Sequence, residues 1–150
     1  MIGPGTGIAP MRALLQERAY LRTVLKKIVG PTILYFGCKN REQDFIYADE
    51  LEQYRNDGTL TQLHLAFSRE NKDKKVYVQH ILSSNATETW SLINSYHAYV
   101  YVCGGVKMGQ DVSDVIRRII SDVGGFNSVE SKAYLDRMAA DGRFVQELWA

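Results

Sequence analysis

Short apolar runs rich in β-branched and aromatic residues alternate along the chain with stretches of helical periodicity, and this alternation restricts the possible folds more than any other feature. Thr32-Ile33-Leu34-Tyr35-Phe36 has little polar alternation, as a strand buried on both faces should. Residues 62–67 place Leu63, Leu65 and Phe67 on one face, and residues 98–102 and 144–148 read as two further strands. Between these runs, Met11, Leu14, Leu15, Leu21, Leu25 and Ile28 predict a helix over 10–28, with Pro10 tolerated in its first turn. Tyr47, Leu51 and Tyr54 mark a second helix that ends near Asp57 and Gly58, and 76–82 and 87–96 are shorter pieces, with Trp90 and Ile93 as anchors. Val112, Val115, Ile116, Ile119, Ile120 and Val123 form a wide apolar stripe, and one more helix falls near 130–140. Strands separated by helices predict an α/β fold: a doubly wound, mainly parallel sheet with helices on both faces. Its strands number five if Met1 and Ile2 are the end of a truncated first strand, as in a fragment of a longer protein.

At 150 residues and 45% hydrophobic content, the length fits one domain. A chain of this size buries roughly 70% of its unfolded surface and needs no disulfide or structural metal. With 18 basic and 17 acidic residues the net charge is +1, which excludes a general polyanion binder and leaves no nucleic-acid partner. Any basic site must be local. Two cysteines, Cys38 and Cys103, are too few for a secreted disulfide scaffold, so a cytoplasmic, reducing setting is expected. The N-terminus does not read as a signal peptide, no apolar run approaches the roughly 20 residues of a bilayer crossing, and a monomer is expected.

In open parallel sheets ligands bind beyond the carboxyl ends of the strands, so the residues at those ends are the candidates. Gly3-Pro4-Gly5-Thr6-Gly7 would bring backbone amides close to a phosphate at the start of a helix, or would be a glycine turn needed only for its geometry. It lacks a Gly or Ala at Ile8 for the usual dinucleotide fingerprint. Ser68 and Arg69 follow the second strand, with Lys75, Tyr77 and Gln79 a few residues on. This set suits a phosphate monoester, with Tyr77 available to stack on a purine; the alternative is a solvated charged loop. The strand before it ends in Gly37-Cys38-Lys39-Asn40-Arg41, with no acid to hold a free ribose 2'-hydroxyl, so a phosphorylated ribose is favoured. Cys103-Gly104-Gly105 reads as a turn at another strand end, where Cys103 would face the ligand crevice or pack as a small hydrophobe. Glu147 and Trp149 close the last strand, Trp149 either capping the core or covering a flat ligand. His64, His80 and His97 lack ligand spacing, and no metal is assigned.

Residues 3–10 (Gly-Pro-Gly-Thr-Gly-Ile-Ala-Pro), 16–18 (Gln-Glu-Arg), 35–38 (Tyr-Phe-Gly-Cys), 66–70 (Ala-Phe-Ser-Arg-Glu), 75–80 (Lys-Val-Tyr-Val-Gln-His), 101–104 (Tyr-Val-Cys-Gly) and 142–144 (Gly-Arg-Phe) occur in one order. Together they resemble the NADP-binding domain of the diflavin reductases, a ferredoxin-NADP reductase-like family, over essentially the whole chain. The resemblance implies that Gly3, Pro4, Gly5 and Thr6 meet the pyrophosphate and nicotinamide side of NADPH. It implies that Ser68, Arg69, Lys75 and Tyr77 hold the adenosine 2'-phosphate, with Gln79 nearby, and that Cys38 and Gly104 line the cofactor site. Cys103 matches the thiol beside the nicotinamide, and Trp149 the aromatic that stacks on the flavin and moves aside for nicotinamide. Glu147 stands where the family usually has aspartate. Gly105 stands where it usually has an acid, a departure that implies slower hydride transfer.

The implied activity is hydride delivery from NADPH to FAD, with electrons passing through FMN to a haem protein such as a cytochrome P-450. Partners would be the FAD-binding and FMN-binding domains of a parent chain, with that parent attached to the cytosolic face of the endoplasmic reticulum. The sulfite reductase, methionine synthase reductase and iron–sulfur-assembly branches share much of the pattern and are the alternatives, and the terminal Trp149 agrees better with the cytochrome reductases than with the bacterial sulfite reductases, which usually end in tyrosine. From a different class, a doubly wound binding module without redox chemistry is the alternative that composition and element order allow. Because the flavin-contacting Arg-x-Tyr-Ser segment is absent, the flavin-free chain is expected to bind NADP(H) yet reduce no cytochrome c above a buffer control, as measured by the absorbance of the reduced haem.

Overall fold

Parallel strand pairing occurs in two places along the chain, and each pairing organises one of two units, Met1–Val78 and Gln79–Ala150. The computed structural model describes all 150 residues.

In the first unit, β1 (Ile33–Cys38) pairs parallel with β2 (Gln62–Phe67), in register from Ile33 opposite Gln62 to Cys38 opposite Phe67. On its other side β1 meets Ile2 in a single parallel bridge: the Tyr35 amide donates to Met1 O at 2.9 Å, and the Gly3 amide donates to Tyr35 O at 3.0 Å. A single 3-10 turn, Gly5–Gly7, leads into α1 (Ile8–Thr23), followed later by α2 (Arg41–Asp44) and α3 (Ala48–Asn56). Ile8, Met11 and Leu15 of α1, Leu34 and Phe36 of β1, and Leu51 of α3 are buried. The helix predicted over 10–28 stops at Thr23. Leu25 and Ile28 continue its spacing but are exposed, and the amides of Val24 and Leu25 both fold back on Tyr20 O. Periodicity alone does not extend a helix beyond the surface it packs against.

In the second unit, β3 (Val100–Gly105) pairs parallel with β4 (Phe144–Trp149), from Val100 opposite Phe144 to Gly105 opposite Trp149. Cys103, Gly104 and Gly105 therefore lie within the strand and are not a turn after it, because each has a β4 partner. The helices are α4 (Val78–Ser84), which begins at the last residue of the first unit, α5 (Ala86–Asn94), α6 (Val106–Asp122) and α7 (Ser128–Ala140). The α6 stripe is buried at Val112, Val115, Ile116, Ile119 and Ile120, while Val123, just past the helix, is exposed. Trp90 meets Phe126 edge-on and Tyr134 at a tilt, with ring centroids 5.9 and 5.5 Å away, and a Cβ at Gly124 would lie 2.7 Å from the Trp90 ring. Asn127 starts α7 with a reciprocal cap: its Oδ1 accepts from the Val129 and Glu130 amides, and Glu130 Oε2 accepts from the Asn127 amide at 2.9 Å.

The sheet prediction thus holds as a mixed α/β architecture with parallel strands. Within the units the pairing defines four strands in two parallel pairs and one bridge at Ile2. No helix is long and apolar enough to cross a membrane. Removing the fully buried ring in Phe36→Ala should lower the unfolding free energy by about 3 to 5 kcal/mol, and Asn127→Ala, which removes the cap, by about 1 kcal/mol. Urea denaturation followed by circular dichroism, with the denaturant slope held constant, measures both.

Candidate functional site

The first unit gathers its site residues because neighbouring parallel strands end at the same edge. The segment after Ile2 carries Gly3, Pro4, Gly5 and Thr6, β1 ends at Cys38, and β2 is followed by Ser68 and Arg69. Gly3 is required by close approach, since a Cβ there would lie 2.4 Å from Gly7 O and 2.9 Å from Met11 Cγ. Gly5 has φ 57°, in the left-handed region, and a Cβ there would meet nothing within 4 Å, so this turn presents its backbone outward. Sequence reasoning overlooked Gly37: a Cβ on it would come 3.3 Å from Pro4 Cβ and 3.1 Å from Val78 Cγ1, so its absence lets both segments settle against β1.

Strand-like bonding continues past β2. The Ser68 amide donates to Cys38 O and the Arg69 amide to Lys39 O, both at 2.9 Å, and Ser68 Oγ lies 3.5 Å from Cys38 O. Arg69 and Lys75 are exposed, and neither has a carboxylate within ion-pair distance. Lys75 and Tyr77 lie on the irregular segment that leads from Arg69 to α4, and Tyr77 is exposed. A hydroxyl, a guanidinium and an ammonium of this kind form a donor set that fits a phosphate dianion. The Cys38 thiol is pushed up from its ordinary pKa, first by burial and then by the charges of Asp44 and Glu70, with Arg41 opposing.

In the second unit, Gln79 is turned toward α6, where its Nε2 donates to Asp111 Oδ2 at 3.2 Å while its Oε1 is buried without a partner. This bond brings in Asp111, a residue that spacing gave no reason to single out.

Cys103 and Glu147 are register partners on β3 and β4, as are Gly105 and Trp149 two residues on, so all four share one face of the pair. The opposite face is covered by α6. Gln146 Nε2 donates to Gly109 O and lies within bonding distance of Ser113 Oγ, both at 3.2 Å. A Cβ at Gly109 would lie 2.6 Å from the Leu148 methyl groups. This packing fixes which way the last strand faces and leaves Glu147 and Trp149 on the side away from α6. Trp149 is 44% exposed, whereas Cys103 is buried. Burial, and secondarily the negative charge of Glu147, raises the Cys103 pKa, which keeps the group a neutral thiol near neutral pH. Such a thiol is a compact, weakly polar neighbour for a ligand ring and a poor nucleophile.

Glu147→Gln removes the charge that opposes thiolate formation, so the Cys103 pKa should fall toward its ordinary value. In a Cys38→Ser background the pH midpoint of iodoacetamide alkylation should move to lower pH than in the Glu147 parent; a midpoint that stays or rises would contradict this electrostatic account.

Comparison with known proteins agrees with this layout. A family model described as "Oxidoreductase NAD-binding domain" matches residues 1–114. NADPH--cytochrome P450 reductase of Salmo trutta is 42% identical over 151 aligned positions, which cover 100% of this chain and 25% of that protein. The proteins of the same name from Musca domestica and Homo sapiens are 43% and 41% identical, again over 100% of this chain and 22% of theirs. The chain therefore spans about a quarter or less of the length of these curated relatives. On its parallel strand architecture and a family match over residues 1–114, the chain belongs to the oxidoreductase NAD-binding domain family.

Proposed function

We propose that the chain is the NADPH-binding domain of a diflavin reductase of the NADPH-cytochrome P-450 reductase type. One observation carries this reading: Ser68 and Arg69 are held by backbone bonds against the end of β1, where Cys38, Lys39 and Asn40 carry no carboxylate, the adjacent Asp44 and Glu70 carboxylates accept from the Asn40 and Arg41 amides, and Arg69 has no acidic partner of its own. Such an edge favours a phosphorylated ribose over a free one. The identity to reductases named for NADPH supports it independently.

Ser68, Arg69, Lys75 and Tyr77 would hold the adenosine 2'-phosphate, and the turn of Gly3, Pro4, Gly5 and Thr6, which exposes Gly5 and Thr6, would serve the pyrophosphate. When bound, NADPH supplies a hydride. In the second unit, Cys103 contributes a neutral thiol and Gly104 a strand position without a side chain. Glu147 contributes a carboxylate on the same face as Cys103, and Trp149 a ring at the strand end that can cover a flat flavin. Gly105, opposite Trp149, leaves that face without the acid usual in the family. FAD-binding and FMN-binding domains and a haem-protein acceptor would belong to the parent protein. The monomeric state of the chain, the attachment of its parent to the endoplasmic reticulum and the five-strand count of the sheet are parts of the same proposal.

Calorimetric titration with 2',5'-ADP against 5'-AMP at one salt concentration tests the reading. Charge-assisted bonds from Arg69 and Lys75 contribute roughly 1.5 to 3 kcal/mol each, so the 2'-phosphorylated ligand should bind at least about tenfold tighter, and Arg69→Ala should remove most of that preference. Equal affinity for the two nucleotides in folded protein would overturn the assignment.

A further inference from the structure

Three consecutive residues after β2 are each anchored to the end of β1 or to the segment that follows it. Ser68 and Arg69 donate their amides to Cys38 O and Lys39 O, and Glu70 reverses the direction, its Oε1 accepting from the Arg41 amide at 3.1 Å. Beyond Glu70 the chain is irregular as far as Tyr77, and exposed throughout except at half-buried Val76. Glu70 thus ties the start of this segment to the Arg41 amide, and its immediate neighbour is Arg69. Asn40, at the N-cap of α2, makes no side-chain cap bond and so does not compete for the Arg41 amide; its Nδ2 donates to Gln43 Oε1 and its own amide donates to Asp44 Oδ2.

A carboxylate is an unexpected group next to a site for a phosphate dianion, since Coulomb repulsion there weakens binding. The surroundings reduce that penalty. The Arg41 guanidinium lies 4.4 Å from the centre of the Phe67 ring, with its Nε 3.9 Å from Glu70 Oε1. Both side chains are about half exposed, so the ion pair itself contributes little; the charge-assisted bond to the backbone amide is the stronger tie.

We propose that Glu70 is a positioning residue for the 2'-phosphate site. It fixes Arg69 by fastening the turn after β2 to the Arg41 amide, and this geometric effect outweighs its charge repulsion. The inference rests on the NADP(H) reading above, and deepens it by naming what determines specificity beyond the phosphate contacts themselves.

Two variants of the full chain separate geometry from charge. Glu70→Ala removes both the bond and the charge, whereas Glu70→Gln removes the charge but keeps an oxygen that can accept from the Arg41 amide. By calorimetry, Glu70→Ala should bind 2',5'-ADP about five- to tenfold more weakly than the parent, with 5'-AMP affinity unchanged, and Glu70→Gln should recover close to parental affinity. The proposal is overturned if Glu70→Ala binds 2',5'-ADP as tightly as the parent or more tightly, the result expected from charge alone. It is also overturned if Glu70→Gln is as weak as Glu70→Ala, or if 5'-AMP affinity falls in parallel, which would mark general loss of structure. A parent chain with no 2'-phosphate preference would overturn both this inference and the assigned function. A parent with that preference and an unaffected Glu70→Ala would overturn only the positioning role.

Discussion

The parallel register between β1 and β2 is the constraint on which the first half of the site depends. Parallel strands end together, so Cys38 opposite Phe67 fixes where the chain leaves both strands and puts Lys39 beside Arg69. An antiparallel pair would have sent Ser68 and Arg69 to the far end from Cys38. The same geometry acts between β3 and β4, where Cys103 opposite Glu147 and Gly105 opposite Trp149 bring four candidate residues onto one face.

Register places residues; electrostatics then decides what they can do. A net charge of +1 means that the chain has no general attraction for phosphate, and its cations act where local acids fail to neutralise them. Arg12 is paired with Glu50 at 2.7 Å, and Lys132 with Asp136 at 2.6 Å, whereas Arg69 and Lys75 have no carboxylate partner. Both cysteines carry raised pKa values for the same leading reason, burial, with nearby carboxylates adding to it. Neither is built as a nucleophile, which is consistent with a site that binds and orients a cofactor.

Close packing around small residues supplies the remaining precision. Gly37 admits Pro4 and Val78 against β1, and Gly109 admits Leu148 against α6. In each case a methyl group would press on a side chain that steers a site-bearing segment. The polar counterpart is Gln146, whose amide on Gly109 O and Ser113 Oγ fixes the face of β4.

Sequence alone determined the order and type of the elements, because the apolar spacing of α6 and the β-rich runs at 33–36 and 62–67 are local properties. It also determined which residues stand at the strand ends, and so most of the candidate site. Element boundaries were less legible. α1 stops at Thr23 although its periodicity runs to Ile28, since only contact with a core sustains a helix, and Cys103, Gly104 and Gly105 are strand residues because β4 pairs with them. The hydrogen bonds from Gln79 to Asp111 and from the Arg41 amide to Glu70 join residues 32 and 29 positions apart. No local spacing encodes such a bond, because it depends on where the folded backbone brings the two segments together. Tertiary structure therefore decided which of the candidate side chains are anchored, which are left to meet a ligand, and which residues hold them there.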